Sequence, residues 1–221
     1  MSGASRHQAG PGHELERLVF FSDAVFAIAI TLLIIELHPP HLHFGTPDTE
    51  YLRALARLIP HILGFIISFF VIGAFWAGHH RAFALARYWD ERLIAANLQF
   101  LFAIVAMPFF TAFMSNNAYA RVPALAYAGW LLIAALLNIR LQRQVMSPPV
   151  VAEEADPARV AHIRRRGASV ALGSLTALAG SGVAPWPGLG MLGLSTIPLW
   201  RMLLERLARS APPPGEPDQP A

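Results

Sequence analysis

Six apolar stretches separated by short polar segments organise the chain, at about residues 18–37, 54–78, 93–114, 122–141, 168–185 and 187–204. Each approaches the roughly twenty residues that a helix needs to cross a bilayer. The first, "LVFFSDAVFAIAITLLIIEL", is the cleanest. The second opens amphipathically at "YLRALARLIPHI", where Pro60 is placed to kink it. The fifth, "GASVALGSLTALAGSGVA", carries small residues at close spacing, which suits tight helix–helix packing. The sixth follows "APWPGLG", which reads either as a loop or as a broken re-entrant turn. The pattern predicts an all-α, polytopic membrane protein with six transmembrane helices.

Arginine placement orients these helices. With the N-terminus inside, every arginine except Arg53, Arg57 and Arg121 falls on the cytoplasmic side, as the positive-inside rule requires, and both termini are then cytoplasmic. Composition agrees: 55% of residues are hydrophobic and 14% charged, against about a quarter charged in ordinary globular domains. There is no cysteine, hence no disulfide framework and no thiolate metal site. The net charge of +3 comes from arginines at segment ends and forms no continuous basic face, so nucleic acid is not an expected partner. The opening "MSGASRHQAGPGHELER" is too polar for a cleavable signal peptide, and the first helix is expected to act as its own insertion signal. Residues 1–13 and the Pro-rich tail 210–221 are expected to be disordered, leaving one membrane domain over 14–209.

The first helix presents two different faces. At about 100° per residue, Ile28, Thr31 and Ile35 share a narrow strip with Leu32 at its edge, while Asp23 projects roughly 140° from Ile28. A carboxylate inside a spanning helix costs about 2.5–3.5 kcal/mol on insertion scales and calls for a partner. The second helix ends in "FWAGHHRAF", which brings Trp76, His79, His80 and Arg81 to the depth of Asp23 and of Arg17. Two readings stand side by side: a buried Asp–His–Arg–Trp network that locks two helices together, or a set of interfacial anchors in the headgroups.

Other polar positions carry less. His38, His41 and His43 in the first outer loop are close enough to attract zinc but lack an accompanying acid or thiolate, so no metal site is assigned. His61 reads as a packing residue, and Asn97, Gln99 and Asn138 as amides that bridge helices. The run Arg164–Arg166 is a topology anchor that also attracts anionic lipid heads. No catalytic or cofactor-binding motif occurs, so an enzyme is not expected. An intramembrane Asp–His pair can relay protons, which keeps a proton-coupled secondary transporter as the alternative function.

Three stretches carry a resemblance to a known family. They are R-x-x-x-F-S-D at Arg17, Phe21, Ser22 and Asp23; "FFVIGAFWAGHHRAF" over 69–83; and "NLQFLFAIVAMPFFTAF" over 97–113. Over about its first 115 residues the chain resembles the transmembrane protein 175 family, the endosomal/lysosomal potassium channels and their bacterial relatives. The resemblance implies a cation channel that prefers potassium over sodium and other monovalent cations. With one six-helix repeat instead of two, the chain looks like the bacterial form, a homotetramer in the inner membrane. In that family the first helices surround the pore without a T-V-G-Y-G filter, and none occurs here. Carried over by position, the apolar rings and hydroxyl layer fall on Ile28, Thr31 and Ile35, with Leu32 beside them. Arg17, Phe21, Ser22 and Asp23, with Trp76, His79 and His80, become the brace that aims the pore face. Glu36 stands where it could attract cations to the outer mouth.

Overall fold

A computed structural model describes residues 11–210. The segments expected to be disordered, 1–13 and 210–221, lie almost wholly outside these residues. The described residues form helices joined by loops, with a single bridge between Ala86 and Val151. Its elements are α1 (Pro11–Ile35), α2 (Asp48–Arg57), α3 (Ile59–Phe83), α4 (Arg92–Val105), α5 (Met107–Asn116), α6 (Arg121–Val145), α7 (Pro157–Val183), a 3₁₀ segment (Pro187–Thr196) and α8 (Ile197–Ser210). Among the described residues, four spans are long and apolar enough to cross a membrane: α1, α3, α4 and α5 taken together, and α6. The fifth and sixth expected segments correspond to the later part of α7 and to the 3₁₀ segment with the start of α8, and neither is among those four.

Proline sets the boundaries that hydropathy alone blurs. The expected second span starts at 54, but helix α2 ends at Arg57 and α3 begins at Ile59, with Pro60 in its first turn. The proline ring has no N–H to donate and crowds the carbonyl four residues back, so the chain breaks here instead of continuing. The span is displaced, running to Phe83 and taking His79 and His80 inside it with Trp76. Pro108 divides α4 from α5 for the same reason. At α7 the helix starts eleven residues before the expected 168, because Asp156 accepts a hydrogen bond from the Ala158 amide (2.9 Å) and Pro157 occupies the first turn. Arg164–Arg166 thus belong to the helix, not to a loop.

Helices α1, α3, α4, α5 and α6 share one core. Along α1 the buried positions are Leu18, Ser22, Phe26, Ala29 and Leu33, spaced by three or four so that they form one stripe. Phe75, Ile72, Phe100, Ile104 and Met107 close over it from α3, α4 and α5. A second polar line crosses the core. Thr111 donates to the Met107 carbonyl (2.8 Å), which leaves Ser68 to donate to Thr111 (2.7 Å) and Tyr127 to donate to Ser68 (3.0 Å). Each of these three hydroxyl protons has an acceptor, as a water-free interior demands.

The C-terminal third is an antiparallel hairpin made possible by glycine. The 3₁₀ segment lies back along α7, with Gly190 against Ser181 and Gly193 against Ala177, and Ile197 then covers Gly173. The Trp200 indole closes the hairpin on Thr176 (3.1 Å). A Cβ on Gly193 would stand 2.5 Å from the Ala177 amide nitrogen, so only glycine lets the two backbones approach. Gly193→Val is therefore expected to cost about 1–3 kcal/mol through overpacking. Thermal melting of the purified protein in detergent reads this directly, and an unchanged midpoint would mean that the hairpin is not packed in this way.

Candidate functional site

Ser22 and Asp23 are neighbours on α1 that turn toward different helices. The Ser22 hydroxyl donates to the Leu18 carbonyl one turn back (2.8 Å) and accepts from the Asn97 amide nitrogen on α4 (2.8 Å). Asn97 in turn presents its carbonyl oxygen to His79 Nε2 on α3 (3.0 Å). Since an amide oxygen only accepts, His79 must carry its proton on Nε2. Its Nδ1 is buried without a partner, and the ring is enclosed by Phe26, Phe83 and Phe100. Asp23 accepts from the Trp76 indole (2.9 Å), and Trp76 stacks on His80 at 5.9 Å between centroids. The two linkages tie α1 to α3 and α4 at one level.

The geometry sorts the expected brace residues. Ser22, Asp23, Trp76, His79 and His80 come together; Arg17 does not join them, being exposed and 3.6 Å from Glu14 one turn earlier. Phe21 points outward. Asp23 and His79, the pair a proton relay would use, are bonded to different partners. Asn97 holds the centre, although sequence reasoning gave it only a generic bridging role. Its signal was visible: an amide in an otherwise apolar span must find partners inside the protein.

With the buried stripe of α1 turned inward, its opposite face has no cover among the described residues. Ile28 is 57% and Ile35 63% exposed, whereas Ala29 is 0% and Leu33 1%. Thr31 lies on the same strip, and its hydroxyl proton is taken up by its own helix, at the carbonyls of Ala27 (3.0 Å) and Ile28 (2.9 Å). The oxygen lone pairs therefore face outward, where they can accept but need no donor. Leu32 borders the strip and is partly exposed. Glu36 follows the end of α1 and, with His61, Thr111 and Ser115, borders a cavity of about 10 Å³, room for a single water. His61 Nε2 donates to the Asn116 carbonyl oxygen at 2.9 Å. His38, His41 and His43 are spread along an exposed loop.

Comparison with known proteins decides the family. The family model described as "Endosomal/lysosomal potassium channel TMEM175" matches residues 17–108, which include the whole brace and the exposed strip of α1. A potassium channel of Chamaesiphon minutus is 35% identical over 147 residues, covering 65% of this chain and 72% of that protein. The chain belongs to the TMEM175 family. The crystal structure of a lysosomal potassium-selective channel TMEM175 homolog from Chamaesiphon minutus superposes with a TM-score of 0.71 at 30% identity, covering 86% of this chain and 98% of that one. The human relative, an endosomal/lysosomal proton channel, is 27% identical over 109 residues, 48% of this chain and 21% of its own length. The family is one of cation channels, not of enzymes, and this TMEM175 member has the apolar helices of a multi-pass membrane protein.

The brace makes a stability prediction. Asn97→Leu leaves the His79 N–H without an acceptor and should cost about 1–3 kcal/mol, while Arg17→Gln should cost under about 0.5 kcal/mol. Thermal melts in detergent compare the two, and a double substitution of Asn97 and His79 should cost less than the sum of the singles. Equal effects at positions 17 and 97 would contradict the arrangement.

Proposed function

We propose that four copies of this chain form a potassium-selective channel in a bacterial inner membrane, with α1 of each subunit lining the pore. One observation carries the reading: the strip Ile28–Thr31–Ile35 is bare within the subunit and lies opposite the polar brace that fixes the helix's rotation. Rings of Ile28 and Ile35, with Leu32 beside them, make a constriction too apolar to hold continuous water and gate by dewetting. The Thr31 oxygens between the rings replace part of an ion's hydration, which favours potassium because it holds its water less tightly than sodium. With so few ligands the preference is modest. Glu36 carboxylates at the outer mouth raise the local cation concentration.

Six spans and cytoplasmic termini fit this reading. The 3₁₀ segment rises about 2.0 Å per residue, so its length plus the first two turns of α8 comes to roughly 31 Å, enough for a ~30 Å hydrocarbon core. Helix α2 buries none of its residues and alternates Tyr51, Leu52 and Leu55 with Glu50, Arg53 and Arg57, the character of a helix lying in the outer interface. The domain covers 14–209. A proton-coupled transporter is less favoured because Asp23 hydrogen-bonds Trp76 and makes no hydrogen bond or ion pair with His79 or His80 among the described residues.

Potassium efflux from loaded liposomes tests the function: flux should persist when a proton ionophore collapses the proton gradient, whereas a coupled transporter would stall. Ile28→Asn should wet the constriction and raise conductance while lowering the potassium-to-sodium ratio in planar bilayers. Unchanged conductance and ratio would remove Ile28 from the pore.

A further inference from the structure

A cavity of about 320 Å³ lies between α3, α6, α7 and α8, away from both the α1 strip and the brace. Its lining changes character in the same direction along three of its four walls. On α3 it passes from Val71 to Arg81, on α6 from Leu131 to Asn138 and Gln142, and on the last segment from Leu194 to Arg201; α7, which runs the other way, is mixed, with Arg166 at the same end after Ile163, and Ser169, Val170 and Ser174 beyond it. The arginines and amides thus gather at the end that arginine distribution places in the cytoplasm, and the apolar side chains face the membrane's middle.

The basic end is short of counter-charge. Arg201 engages Glu205 through Nε (3.1 Å), which leaves its terminal nitrogens free of that contact. Neither Arg81 nor Arg166 makes an ion pair among the described residues, and the two are near enough to repel each other. Asn138 and Gln142 are buried beside them, joined only by a long 3.4 Å contact. Like charges held together at a membrane boundary, with amide donors behind them, are suited to oxygens of an anion.

We propose that this cavity binds the phosphate of an anionic phospholipid from the cytoplasmic leaflet, with Arg81, Arg166 and Arg201 on the headgroup and an acyl chain against the apolar wall. A free phosphate would satisfy the guanidiniums but leave the apolar part of the cavity unfilled, which is why the lipid is favoured. The inference relies on the membrane orientation given above and is independent of which helix lines the pore.

Native mass spectrometry of the detergent-solubilised full chain, titrated with phosphatidylglycerol, phosphatidylcholine or inorganic phosphate, tests it without requiring ion flux. Phosphatidylglycerol should bind saturably. Arg166→Gln and Arg81→Gln should each weaken it about fivefold, as should Arg201→Gln, which lies on another element and serves if the first two assemble poorly. Arg164→Gln removes the same charge from α7 but does not line this cavity, and should weaken binding less than about twofold. Equal loss from Arg164→Gln, equal binding of phosphatidylcholine, or displacement of the lipid by millimolar inorganic phosphate would overturn the assignment.

Discussion

A polar side chain inside a bilayer has no water to fall back on, and α1 carries two of them in succession, Ser22 and Asp23. That constraint determines how the helix can turn. Ser22 must reach Asn97 and Asp23 must reach Trp76, and both conditions hold at one rotation about the helix axis. Once they are met, Phe26, Ala29 and Leu33 fall into the core and Ile28, Thr31 and Ile35 are left outside it. A slip of one residue would rotate the helix by about 100°, strand both polar groups in hydrocarbon and bury the strip.

The same rule shapes the rest of the bundle. Tyr127, Ser68 and Thr111 link three helices through a directed series of hydroxyls that ends on a backbone carbonyl. The Trp130 indole reaches the Ala103 carbonyl (2.8 Å), and Arg140 reaches Gln99 (2.6 Å), so α4 and α6 are joined at two levels. Apolar packing alone discriminates poorly between rotations in a solvent as apolar as leucine; hydrogen bonds with fixed partners do.

The hairpin of α7 and the 3₁₀ segment uses close backbone approach instead. Small residues at Gly173, Ala177 and Ser181 form its contact stripe, and Gly190 and Gly193 answer them from the other strand of the hairpin. Beside it Arg166 of α7 and Arg201 of α8 line one cavity with Arg81 of α3. The family match over 17–108 covers the α1 strip and its brace but not this hairpin.

How much was legible in the sequence follows from the kind of information each feature needs. Apolar run length is a property of the chain itself, and it located the four spans α1, α3, α4–α5 and α6 to within about six residues at either end. The periodicity of the first helix picked out Ile28, Thr31 and Ile35 as one strip, because helical angles are the same in any environment. Boundaries at Pro60 and Asp156 depend on local stereochemistry that hydropathy does not measure, so α3 begins later than the second expected span and α7 earlier than the fifth. The partners of Asp23, Ser22 and His79 lie 18 to 75 residues away along the chain, and one sequence does not say which distant polar group meets which. That choice, with the central place of Asn97 and the gathering of Arg81, Arg166 and Arg201, was made only by tertiary packing, since it depends on where helices lie beside one another and not on what each contains.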